Sequence, residues 1–125
     1  MRITIVAIAL LSLMPVAHAE WLKVFENIRG TTSYIDTDSV QASGRYRKVS
    51  ELQSYKKASP EGMLSMRIRK EYDCKEELTR MITYTAYTGK MGTGEAMGTV
   101  NPPTDWQSVS QNPGAKGAFR HVCGE

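Results

Sequence analysis

The sequence predicts an α+β domain: an antiparallel β-sheet of about six strands, with a C-terminal helix disulfide-tethered across one face. Short runs of β-branched and aromatic residues alternate with turn signals and have no long helix between them. The last residues before the C-terminus follow a helical repeat, and two cysteines lie in suitable positions to join helix and sheet. A chain of 125 residues has room for one such domain.

The N-terminus predicts export. A basic residue at Arg2 precedes a short apolar run, and small residues at Ala17 and Ala19 fit signal-peptidase cleavage. The run is shorter than the roughly 20 residues that span a membrane, so we interpret residues 1–19 as a cleaved signal peptide and 20–125 as the folded domain. We expect no transmembrane segment in that domain, and a location in the periplasm, at the outer-membrane surface or in the medium.

Turn residues divide the domain into strands. In the run at 63–74, Leu64, Ile68 and Tyr72 alternate with polar residues, the period-two pattern of a half-buried strand. Lys70 interrupts the apolar face, so we expect that end of the strand at a sheet edge. On the next strand Leu78, Ile82, Tyr84 and Ala86 share one parity, with Arg80 as an exception. The predicted strands are residues 21–26, 32–36, 46–57, 63–74, 78–88 and 94–100.

The C-terminus predicts a short helix. Asn112 and Pro113 form a typical helix start, and an apolar stripe of Ala115, Ala118, Phe119 and Val122 follows. Gly117 weakens such a helix. The only two cysteines, Cys74 and Cys123, lie on the core side of a strand and beside this stripe, and an exported chain favours a disulfide between them.

Composition argues against several functions. The net charge of +3 is too small for a dedicated nucleic-acid-binding protein. The domain has one histidine, His121, placed where nothing orients it as a base, so we expect no enzyme and no metal site. We expect no cofactor either; the alternative is haem, with His121 as an axial ligand. We interpret paired acidic residues such as Glu71 and Asp73 as solvated.

Basic residues predict a partner-binding surface. Arg67 and Arg69 share the outward face of one strand, and further basic residues, Arg45, Arg47, Lys48, Lys56 and Lys57, surround another. If the strands are neighbours, the outer face suits sulfated glycans or acidic protein segments. The alternative is a solvated face neutralised by Glu51, Glu71 and Asp73. An exposed Met91 in the glycine-rich loop at 89–94 is a further candidate contact. The candidate partner-binding residues are Arg45, Arg47, Lys56, Arg67, Arg69 and Met91.

Characteristic segments are the strand at Trp21 and residues 34–36, 71–76 with Arg80, 87–95, 106–109 and 122–123. Together these segments resemble the surface-adhesin protein E family of Gram-negative bacteria. The resemblance implies an antiparallel sheet with a disulfide-attached helix, and a non-enzymatic adhesin that binds host matrix or serum proteins and can dimerise. No cysteine follows the apolar run, where a lipid-anchored member carries its acyl chains. The alternative function is a periplasmic binding or accessory protein with a small ligand or a protein partner.

Overall fold

One antiparallel sheet of eight strands forms the body of the protein, in a computed structural model that describes residues 20–101 and 104–124. The predicted signal peptide at 1–19 lies outside the described residues. The six long strands follow the chain order, which confirms the predicted meander. The strands are β1 (Trp21–Glu26), β2 (Thr32–Asp36), β3 (Gln41–Ser43), β4 (Tyr46–Ser54), β5 (Ser65–Asp73), β6 (Leu78–Tyr87), β7 (Ala96–Val100) and β8 (Gln107–Ser108).

Two of these strands were not predicted. β3 and β8 have three and two residues, and they pair with β4 and β6 beside the main strand order β1-β2-β4-β5-β6-β7. Elements that short carry no readable alternation of polar and apolar residues. The central pairing of β4 with β5 runs over nine residue pairs without a shift, and it fixes which side chains share a face.

The C-terminal helix is confirmed as α1 (Pro113–Val122). The Asn112 side chain caps it by accepting a hydrogen bond from the backbone nitrogen of Ala115 at 3.1 Å. The helix packs on β1 and β2. No helix among the described residues is long and apolar enough to cross a membrane. The buried core on this side of the sheet consists of Ile35, Val49, Tyr72, Val109, Ala115, Ala118 and Val122.

The predicted disulfide is also confirmed. Cys74 lies just after β5 and Cys123 just after α1, and their Cα atoms are 5.5 Å apart. The bond therefore ties the C-terminal end of the helix to a central strand. We call the face that carries Ile35, Val49 and Tyr72 the helix side of the sheet and the opposite face the outer face.

Gly117 has a role that the helical pattern does not reveal. A Cβ atom at this position would lie 2.2 Å from the carbonyl oxygen of Val24 in β1. No side chain fits in that space, so glycine allows the helix backbone to approach the strand. Glycine lowers the helix propensity at this position, but it allows the close packing of α1 on β1.

The prediction that Lys70 lies at a sheet edge is wrong. β5 lies between β4 and β6, in the middle of the sheet. The Lys70 ammonium is 3.8 Å from a carboxylate oxygen of Glu51 and lies over the Tyr72 ring, 5.4 Å from its centroid. An ion pair and an aromatic face thus replace the water that this charge loses on burial.

The single parity predicted for β6 is also wrong. The register between β5 and β6 shifts by one residue, since Arg69 is opposite Thr83 but Lys70 is opposite Met81. Ile82 is the extra residue of this bulge. Beyond the bulge Arg80 lies opposite Glu71 on the outer face, which explains why it interrupts the apparent apolar parity.

Candidate interaction surface

The predicted basic residues divide between the two faces of the sheet. Register places Ser50 opposite Arg69 and Leu52 opposite Arg67, so both arginines lie on the outer face, as predicted. Arg47 lies opposite Tyr72 and therefore on the helix side. The expected neighbourhood of the two strands is correct, but their basic residues do not form one stripe.

The two outer-face arginines are held by uncharged groups. The Arg67 guanidinium lies over the Trp21 ring, 5.5 Å from its centroid. Arg69 donates hydrogen bonds to Gln41 Oε1 at 3.0 Å, to Ser50 Oγ at 3.1 Å and to the Ser39 carbonyl oxygen. Among the described residues neither arginine forms an ion pair. Both keep a full positive charge available at the surface.

Two other predicted residues are committed to internal contacts. Arg45 is 3.1 Å from a carboxylate oxygen of Asp73, and it lies beside the Tyr46 ring, 5.0 Å from its centroid. Arg47 donates to the carbonyl oxygens of Gly44 and Tyr46 in its own hairpin. These contacts order the turn between β3 and β4.

Lys56 lies in the segment after β4 and not on the strand that carries the two outer-face arginines. It lines a groove of about 630 Å³ between the β1–β2 turn and the segment after β4. We call this the basic groove and define it by Arg29, Tyr34, Tyr55, Lys56 and Lys90. Sequence reasoning missed Arg29 and Lys90, because they come from separate turns and no pattern along the chain connects them.

Met91 is half-buried, so the expectation that it is exposed is wrong. Its loop contains a 3₁₀ turn that folds back over the outer face. A Cβ atom added at Gly92 would lie 3.5 Å from a methyl carbon of Leu52. The buried Ser65 hydroxyl donates to the Gly89 carbonyl oxygen at 2.6 Å and accepts from the Gly92 nitrogen at 2.8 Å. The loop is thereby fixed to the sheet.

The acidic residues of β5 are buried, which corrects their interpretation as solvated. The buried Glu71 carboxylate forms an ion pair with Arg80, with 2.7 Å between Oε1 and the guanidinium nitrogen Nη2. The same guanidinium lies over the Trp106 ring. Asp73 accepts from the backbone nitrogens of Lys75 and Glu76, at 3.1 Å each, besides pairing with Arg45. These carboxylates stabilise the end of the sheet and do not cancel the charge of Arg67 or Arg69.

Glu51 lies on the helix side, so it does not neutralise the outer face either. It accepts a hydrogen bond from the Tyr72 hydroxyl. Burial raises the pKa of Glu51, while the Lys70 charge and the Tyr72 bond oppose that shift. Burial and the neighbouring Glu51 raise the pKa of Tyr72. The network is sealed from solvent, so it has a structural role.

His121 lies exposed on α1. In the part of the chain that the structure describes, no group of three histidine, cysteine or acidic residues is arranged to hold a metal ion. The Asp36 carboxylate accepts a hydrogen bond from the Asp38 nitrogen at 3.0 Å and so caps the short turn after β2. Two accessible basic features thus remain as candidate contact sites among the described residues: the outer-face arginines and the basic groove.

Comparisons with known proteins agree with the geometry. Residues 21–124 match the family described as Surface-adhesin protein E. Crystal form II of Haemophilus influenzae protein E has a similar fold, with a TM-score of 0.64, 15% identity, and coverage of 86% of this chain and 90% of that one. Protein E from non-typeable Haemophilus influenzae matches with a TM-score of 0.55, 15% identity, and coverage of 88% and 79%. No curated protein matches the sequence significantly.

Proposed function

Since this chain belongs to the surface-adhesin protein E family, we propose that it acts as an exported, non-enzymatic module that binds host matrix or serum proteins. The outer face is the proposed contact surface. Sulfated glycans attached to such proteins are included among its ligands. The signal-like N-terminus and the disulfide support export, because disulfides persist in oxidising compartments.

The observation that carries this proposal is the pair of outer-face arginines. Arg67 and Arg69 lie on one face of a central strand, and each is positioned by an aromatic ring or by hydrogen bonds. An ordered guanidinium loses little freedom when it meets a carboxylate or sulfate, and arginine binds such groups in a bidentate way. This geometry suits recognition of an acidic partner.

The test is binding of the double variant Arg67→Ser/Arg69→Ser to immobilised heparin and to a panel of matrix and serum proteins. We expect elution from heparin at lower salt and a loss of about tenfold in affinity for any bound protein, the effect of two lost charge contacts. The control Lys75→Ser/Lys116→Ser changes net charge equally at exposed positions elsewhere. Equal behaviour of the two variants would contradict the proposed surface.

Location is tested separately by surface biotinylation of intact cells, with a periplasmic protein as the control. Labelling of this protein without labelling of the periplasmic control supports a location at the cell surface, as an adhesin requires. Labelling only after the outer membrane is permeabilised would favour the alternative, a periplasmic binding or accessory protein.

Self-association stays a prediction. β7 ends the strand order and all five of its residues are exposed, including Met97 at 41% and Val100 at 42%. A strand with an unpaired edge can add a second strand by backbone hydrogen bonding. Sedimentation equilibrium over a concentration series measures whether a homodimer forms.

A further inference from the structure

The basic groove carries charges that the fold itself does not use. Arg29, Lys56 and Lys90 line it, and Lys57 lines an adjoining hollow of about 450 Å³. None of these four side chains forms an ion pair within residues 20–101 and 104–124. Among the residues that the structure describes, Glu26 is the one carboxylate that lines the groove.

Glu26 does not cancel this charge, because it already forms an ion pair with Lys23. Clustered like charges repel one another and destabilise the folded chain slightly. An incoming anionic group would relieve that repulsion and gain several cationic contacts at once. Charge complementarity thus points to an acidic ligand.

The adjoining hollow adds an apolar requirement. It shares Tyr55 with the groove, and Met63 forms part of its wall. The Tyr55 hydroxyl donates to Gln53 Oε1 at 3.0 Å, which holds the ring in place. Burial raises the pKa of Tyr55, so its phenol remains uncharged at neutral pH. Ile28, at the rim of the groove, is fully exposed.

The groove is built on a rigid turn. The Asn27 side chain accepts hydrogen bonds from the backbone nitrogens of Arg29 at 2.9 Å and Thr31 at 3.0 Å. Gly30 has a φ of +85°, and a Cβ atom there would lie 2.9 Å from the Cβ atom of Lys56. The turn therefore packs closely against the stem of Lys56. A site formed before binding loses less conformational entropy when it is occupied.

We propose that the basic groove binds an acidic peptide segment of a partner protein, with carboxylates against Arg29, Lys56 and Lys90 and one apolar side chain in the hollow beside Tyr55. The inference rests on the proposed function, because it names the ligand chemistry of one site on such a module. A sulfated glycan supplies the negative charge but no apolar side chain for the hollow. The observations therefore favour the peptide.

The test uses the purified protein and a fluorescein-labelled peptide of glutamates with one central leucine, followed by fluorescence anisotropy. We expect saturable binding that Arg29→Ser/Lys90→Ser weakens about tenfold, as expected for two lost charge contacts. The control Lys75→Ser/Lys116→Ser removes the same charge from exposed positions outside the groove and should stay within about twofold. Equal weakening by both variants would show general electrostatic attraction and overturn the proposal.

A second arm tests the apolar contact. Replacing the leucine of the probe with glutamate should weaken binding several-fold, and so should Met63→Ser, which removes an apolar side chain from the wall of the hollow. If the all-glutamate probe binds as well as the leucine probe and a heparin oligosaccharide displaces both, the groove is a glycan site and the peptide proposal fails.

The two proposals fail separately. The peptide probe reports on the groove without any host protein, and Arg67→Ser/Arg69→Ser should leave its affinity unchanged. Suppose that the groove variant loses peptide binding, but the protein binds no matrix protein or is found in the periplasm. The groove proposal then stands, and the adhesin function alone is overturned. Absence of peptide binding alongside matrix binding that depends on Arg67 and Arg69 overturns the groove proposal alone.

Discussion

The two faces of the sheet come from the same strands but differ in what covers them. On the helix side, α1 and the Cys74–Cys123 bond cover Ile35 and Tyr72 completely. In the part of the chain that the structure describes, the outer face is covered only in part: the short turn at Lys90–Gly92 lies over Leu52, and Trp106 lies beside Arg80. The comparison teaches that the helix side is buried against α1, while the outer face combines buried contacts at its ends with charged side chains such as Arg67 that stay exposed.

The largest effect should come from the disulfide on the helix side. Cys74→Ser and Cys123→Ser should each lower the free energy of unfolding by about 4 kcal/mol, because the unfolded chain regains the entropy of an open loop of about 50 residues. Urea denaturation measures the change. The double variant should be no less stable than either single variant, and additive losses would contradict a shared bond.

The next effect tests the close approach of helix and strand. Gly117→Ala should lower the free energy of unfolding by about 2 kcal/mol, since the new Cβ atom clashes with the Val24 carbonyl oxygen. The gain of about 1 kcal/mol in helix propensity does not compensate.

Gly114→Ala is the matched control in the same helix. A Cβ atom there meets its nearest neighbour at 3.5 Å, an ordinary contact. We expect unchanged or slightly greater stability from that change, measured by the same urea titration. Similar effects of the two alanines would contradict the role assigned to Gly117.

The sequence predicted features that depend on neighbours along the chain. Alternation and turn residues located the six long strands, and the helical stripe with Asn112 located α1. It did not predict features that depend on distant partners. Nothing near Lys70 in the sequence identifies Glu51 as its counter-charge, and nothing near Gly117 reveals Val24. Both depend on pairing and packing across the sheet.

The interaction surface follows the same division. Alternation within one strand placed Arg67 and Arg69 correctly on a common outward face. The basic groove joins residues from the β1–β2 turn, the segment after β4 and the loop before β7, so no local pattern predicts it. The bulge in β6 likewise changed the face of Arg80 without a signal in its own residues.

A smaller effect is expected on the outer face from Ser65→Ala. The change leaves the Gly89 carbonyl oxygen and the Gly92 nitrogen without the buried hydroxyl, at a cost of about 1.5 kcal/mol. Hydrogen exchange at the Gly92 amide should become faster. Ser43→Ala, at an exposed position in β3, should change neither property. Unchanged exchange in the Ser65 variant would show that the loop is held by other contacts.

The smallest effect at any single pH is expected on the helix side, where Glu51 should change how the free energy of unfolding depends on pH. Burial raises the pKa of Glu51 above its ordinary value of 4.5. At a pH between the pKa of Glu51 in the unfolded chain and its higher pKa in the folded protein, the unfolded chain has released this proton and the folded protein has not. The folded state therefore loses stability as the pH rises through this range. Compared with Glu51→Gln, the free energy of unfolding of the unchanged protein should therefore decline as the pH rises above about 4.5.

Lys70→Met sharpens this test. The Lys70 charge lowers the pKa of Glu51, so its removal should raise that pKa further and extend the decline to higher pH. Urea titrations at a series of pH values measure all three proteins. A flat or rising difference between the unchanged protein and Glu51→Gln would mean that solvent reaches Glu51. The helix side would then be open to water, and the contrast with the outer face would be smaller than proposed.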